Sequence, residues 1–160
     1  MEGLFPQGTG ISRVRATVNL IKKNKGNIEM SKLAEESDED IDDLLPIIEA
    51  CKMLGFVVVS DSKLRLTERG SRLTFSNFSK LIREGLEEAE PFKSAIKILD
   101  QKEISTRELF STLRGKRIMY HGDEGINDLL LRKVFIRWGV RSELLSYNTE
   151  KDTWAIRKEE

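Results

Sequence analysis

Four acidic residues have the sharpest chemical spacing in this chain: Asp38, Asp40, Asp42 and Glu49 fall on positions 1, 3, 5 and 12 of a calcium loop, whose oxygens enclose a hard cation. That loop needs glycine at position 6 for its sharp turn, and Asp43 stands there. Leu44 and Leu45 continue a helical phase through the stretch, so the acids read as a solvated helix face. A phosphate cradle needs a glycine, four residues, then Gly, Lys and a hydroxyl side chain. Gly115 and Lys116 come closest, but Phe110 replaces the first glycine and Arg117 the hydroxyl, which argues against nucleotide hydrolysis. His121, the single histidine, with Asp123 and Glu124 would make a poor metal site and reads as a surface-loop residue. Cys51 cannot form an internal disulfide, and among Ile47, Ile48 and Leu54 it reads as a small buried hydrophobe rather than a nucleophile. No serine, cysteine or lysine has a sequence-visible base to activate it. These residues predict no enzyme, no cofactor and no metal.

Charge points to binding instead. With 27 basic and 27 acidic side chains the net charge is zero, so any electrostatic recognition must come from segregation along the chain. From Asp38 to Leu54 six acids stand against Lys52 alone, a net charge of −5 that would repel phosphates. Glu39, Asp40, Asp42, Asp43 and Glu49 are the candidate protein-docking residues, suited to a Lys- or Arg-rich partner. The candidate nucleic-acid residues of the alternative reading are Arg114, Lys116, Arg117, Arg132, Lys133, Arg137 and Arg141, although Asp123, Glu124 and Asp128 interleave with them.

The elements that position these residues follow from periodicity. Ile11, Val14, Val18 and Ile21 predict a helix over 11–24, stopped by Lys25, Gly26 and Asn27. A short helix over 30–36 buries Leu33 and Ala34. A third, capped by Ser37 or Asp38 and bent at Pro46, runs to Leu54 and turns Ile41, Leu44, Leu45, Ile48 and Cys51 toward the core. Gly55 closes it. Phe56–Val59 and Leu64–Leu66, joined by Ser60, Asp61 and Ser62, read as a hairpin, and Thr67 with Gly70 opens a further helical stretch. Helix, short helix, longer helix and hairpin is the winged helix-turn-helix order.

The order then repeats. A connecting helix precedes Pro91, after which Phe92, Ala95, Ile96 and Leu99 start a new apolar face. Ser105 and Glu108 have capping-box spacing, and 123–138 places Ile126, Leu129, Leu130, Val134 and Phe135 on one side before Gly139 ends it. A second hairpin follows from Leu144 to Arg157. Ile28 and Leu33 match Ile104 and Leu109, while Asp43, Leu44, Leu45 and Gly55 match Asp128, Leu129, Leu130 and Gly139 within one residue. The expected architecture is helix-rich α+β: an N-terminal tail over 1–10, a winged helix over 11–75, a connecting helix over 76–90 and a winged-helix-like unit over 91–160. Phe75, Phe78, Leu81, Ile82 and Leu86 offer an apolar stripe through which a homodimer could form.

The run Asp42-Asp43-Leu44-Leu45-Pro46-Ile47-Ile48-Glu49-Ala50, then Leu54-Gly55-Phe56, Leu64-Arg65-Leu66-Thr67 and Gly70, resembles the AAA-associated C-terminal domain. Phe92, Trp138-Gly139 and Glu143-Leu144-Leu145-Ser146-Tyr147 are similar to its closing segment. The resemblance covers nearly the whole chain from Ile11. That domain follows the ATPase subunit of transporters of the nitrate, sulfonate and bicarbonate type and also occurs alone. It therefore implies a regulatory or coupling role with a transporter ATPase as protein partner, although no ATPase is present in this sequence. DNA is the alternative partner. No segment approaches the roughly 20 apolar residues of a membrane span, and the first ten residues lack a signal-peptide layout, so the expected location is cytoplasmic.

Overall fold

Residues 3–158 are described by a computed structural model, so the first two residues of the expected tail and the last two of the second expected unit lie outside it. Among the described residues the chain is α+β and helix-rich, with eight α-helices, one π-helical turn and two three-stranded antiparallel sheets. It divides into two units: Pro6–Leu81, and the chain from Ile82 onward together with its start up to Phe5.

In the first unit, three- and four-residue apolar steps build α1 (Ile11–Lys23), which buries Val14, Val18 and Ile21. Strand β1 (Asn27–Glu29) leads into α2 (Met30–Ser37) and α3 (Ile41–Met53). Strands β2 (Val57–Ser60) and β3 (Lys63–Leu66) form the hairpin, whose Asp61 and Ser62 take positive φ of 51° and 61°, the backbone twist that suits a two-residue hairpin turn. The sheet order is β1-β3-β2, with Leu64 opposite both Ile28 and Val59. Short α4 (Glu68–Ser71) follows, its start capped by Thr67, whose hydroxyl accepts from the Gly70 amide at 3.0 Å and donates to the Gly55 carbonyl at 2.6 Å. Helix α5 (Phe78–Glu87) carries the boundary between the units.

The second unit repeats the order. Helix α6 (Phe92–Leu99), β4 (Ile104–Ser105), α7 (Thr106–Gly115) and α8 (Glu124–Val134) lead through the π turn Phe135–Val140 into β5 (Leu145–Asn148) and β6 (Thr153–Ile156). The sheet order is β4-β6-β5. Aromatic rings fill this core: Phe5 stands edge-on to Trp138 at 4.6 Å, and Phe92 and Phe110 pack on Phe135 at 5.4 and 5.6 Å. Phe5, assigned from the sequence to a tail, is thus a buried part of this unit, held also by the Tyr120 hydroxyl donating to its carbonyl at 2.6 Å.

The structure departs from the expected elements at several places. Helix α3 is preceded by Asp40, not capped by Ser37 or Asp38: Asp38 takes positive φ of 53° to close α2, which uses up those residues in the turn. Ile41 and Leu45 face solvent, and Ile47 and Ala50 are buried instead; the face that packs is Leu44, Ile47, Ile48 and Cys51. In α8 the buried residues are Asn127, Leu131 and Val134, so Ile126 and Leu129 turn outward. Gly139 does not end that helix. It lies inside the π turn, where a Cβ would stand 2.8 Å from Leu145 and 3.2 Å from Phe92, so its role is close packing. Of the expected dimer stripe, Phe78, Leu81, Ile82 and Leu86 are buried and only Phe75 is exposed, with the Arg15 guanidinium 4.6 Å from its ring centroid.

Candidate protein-docking surface

Position within α3 decides what each of its acids can do. Asp42 and Asp43 occupy the first turn, where unpaired backbone amides favour negative charge by about 0.3–1 kcal/mol each. Glu39, just before the helix, is half-buried in an ion pair with Arg13 of α1. Glu49 pairs with Lys52 at 3.4 Å, one turn on, and both side chains are largely exposed. Of the five predicted docking acids, Glu39 is therefore a structural bridge, and Asp40, Asp42, Asp43 and Glu49 remain on the surface. Asp40, Asp42 and Asp43 line one cleft with Glu35, Asp38 and Arg13.

Local structure explains most of these acids. It does not explain Ile41 and Leu45. They sit one turn apart on the same side of α3, 45% and 48% exposed, Ile41 at its first position and Leu45 between Asp42 and Glu49. Leu45 and Pro46 line an open depression with Met30, Val59 and the charged Asp42, Glu49 and Lys52. An isolated exposed aliphatic side chain is ordinary; here two stand one turn apart with charged residues beside them. Periodicity alone places Ile41 and Leu45 inward with Leu44, Ile48 and Cys51; the Leu44, Ile47, Ile48, Cys51 steps are the signal that separates the two faces.

The seven basic candidates divide. Arg114 pairs with Asp128 at 2.5 Å and Glu124 at 3.1 Å. Arg132 donates to the Tyr147 hydroxyl at 2.9 Å and to Asp152 at 3.3 Å. Lys116, Arg117, Lys133, Arg137 and Arg141 are exposed. Alongside Lys133 and Arg137 stand three exposed aliphatic residues, Ile126, Leu129 and Ile136. The Asp152 carboxylate is the hub of a polar knot: Thr106 and Tyr147 hydroxyls donate to it at 2.6 and 2.5 Å, and the Trp154 indole donates to Thr106 at 2.8 Å. These hydrogen bonds, with Arg132 adding positive charge, hold its carboxyl below the usual carboxylate range.

The remaining chemical candidates serve the fold. Asp123 accepts from the Ile126 amide at 2.9 Å as the cap of α8, and Glu124 pairs with Arg114 at 3.1 Å. Asp42 and Glu49 lie within α3 and Asp38 closes α2, so the calcium-loop spacing folds as the end of one helix and the body of the next. Among the described residues no cluster of three or more His, Cys, Asp or Glu side chains could hold a metal ion.

A family model described as the C-terminal AAA-associated domain matches residues 31–148, about three-quarters of the chain. The match begins in α2 and runs through both hairpin-containing units to β5. No curated protein and no solved structure matches the chain.

Proposed function

We propose that this chain, which belongs to the C-terminal AAA-associated domain family, is a non-enzymatic regulatory module of two winged-helix units that docks on a transporter ATPase. The winged-helix reading is supported by the order helix, strand, helix, helix, hairpin in each unit, and by the matching sheet orders β1-β3-β2 and β4-β6-β5. The family supports an ATPase partner, and the resemblance narrows it to transporters of the nitrate, sulfonate and bicarbonate type. No helix among the described residues is long and apolar enough to cross a membrane, which fits a module acting beside a membrane complex on its cytoplasmic side.

The observation that carries this reading is the exposed pair Ile41 and Leu45 within the acidic border of α3. Both side chains are already about half buried, so covering the rest contributes about 1 kcal/mol per side chain, roughly half the value for full burial. The surrounding acids orient a basic partner and raise its on-rate. A DNA reading is weaker because two of its seven cations, Arg114 and Arg132, are already neutralised within the fold. The test is ATP turnover by the purified transporter ATPase with and without this chain, beside the chain alone. The proposal expects the chain alone to be inert and the ATPase rate to change on its addition, with less change for Leu45→Ser. Turnover by the chain alone, or an ATPase rate indifferent to it, contradicts the proposal.

A further inference from the structure

The outward faces of the third helices of the two units share one exposed leucine and differ in charge. Counted back from Gly55 and Gly139, Leu45 and Leu129 hold the same place, ten residues before each glycine, and both are about half exposed. Four residues after each leucine stands an exposed charged residue, Glu49 in α3 and Lys133 in α8. The α3 face adds Ile41 and Asp42; the α8 face adds Ile126, Ile136 and Arg137. Each face is an aliphatic patch on a helix: Asp42 and Glu49 border the first, where Lys52 pairs with Glu49 at 3.4 Å and leaves acid in excess, and Lys133 and Arg137 border the second. Both remain exposed in the single chain.

We infer that the chain self-associates, the α3 face of one copy packing on the face of α8 and the π turn of a second copy. Aliphatic patches exclude water from each other, while Asp42 and Glu49 meet Lys133 and Arg137 around them. Opposite charges also select this pairing over α3 on α3 or α8 on α8, which would oppose like charges. The contact is heterologous, so the copies close into a dimer or extend into a longer assembly, and either raises the mass. The inference rests on the reading of α3 as a docking face. It adds a regulatory consequence: a second copy and the ATPase compete for Leu45.

Sedimentation equilibrium of the purified chain at low salt tests this without any ATPase. The expected mass exceeds 18.4 kDa, rises with protein concentration and falls toward 18.4 kDa as salt is added. D42K/E49K should stay at the mass of one copy, and so should K133E/R137E. An equimolar mixture of these two reversed variants should associate again, because each then supplies the charge the other lost. Thermal melts report whether each variant folds, and Leu45→Gln with Leu129→Gln replaces any that does not; both should lower association at least tenfold. A wild-type chain of one-copy mass at every concentration, reversed variants that associate as wild type does, or a mixture that fails to re-associate overturns the inference. A one-copy chain that still binds the ATPase sinks only this inference; a self-associating chain that ignores the ATPase sinks only the ATPase reading.

Discussion

The Cys51 thiol is fully buried in α3, and burial pushes its pKa up to about 12, so at neutral pH it is neither ionised nor reachable. A thiol reagent should leave the folded chain unlabelled and label one equivalent once denaturant unfolds it; fast labelling of the native chain would contradict the burial. This residue was legible from its apolar neighbours alone. Asp152 was not, because its partners Thr106, Tyr147 and Arg132 are 46, 5 and 20 residues away and meet only in the fold. Its folded pKa is depressed, so its contribution to stability is present above the unfolded value of about 4. That contribution is lost as pH falls from there through the folded value. Acid-side denaturant melts should therefore show Asp152→Asn less stable than wild type at neutral pH, the gap narrowing below about pH 4. A gap that stays constant across the acid range would assign the carboxylate no such role.

Apart from four-residue α4, which Thr67 and Gly70 mark, the α-helices were readable because their apolar residues recur over two or more turns. The short strands β1 and β4 span three and two residues, too few to show a period, and were missed. Ile28 and Ile104, which match across the halves, each lie on the short strand that completes a sheet. The π turn was also hidden, since it appears in sequence only as Gly139 where a helix end was expected. Glycine constraints are sharper in the structure: a Cβ at Gly70 would stand 2.1 Å from the Phe56 carbonyl oxygen, which the sheet-to-helix junction holds in place. Gly70→Ala should cost about 1–3 kcal/mol or more, read as a lowered midpoint in chemical denaturation, while Gly115→Ala, with open space around it, should shift the midpoint far less. Equal midpoints for the two variants would contradict the close approach.

Over the whole molecule, zero net charge conceals an acidic third helix in the first unit, whose −5 stretch was legible by counting. What counting could not supply is which side chains face out, because that depends on helical phase against a core. The phase leaves Ile41 and Leu45 uncovered, and this gives the acidic stretch its proposed meaning as a docking face rather than a solvated one. Photo-crosslinking to the purified transporter ATPase tests that claim most directly, with the photoreactive residue placed at Leu45 or, as a reference, at exposed Ser71 of α4. The account predicts an adduct of chain plus ATPase from position 45 and little from position 71, separable by mass from an adduct of two chain copies. Equal adducts from both positions, or an ATPase adduct from position 71 alone, would contradict it.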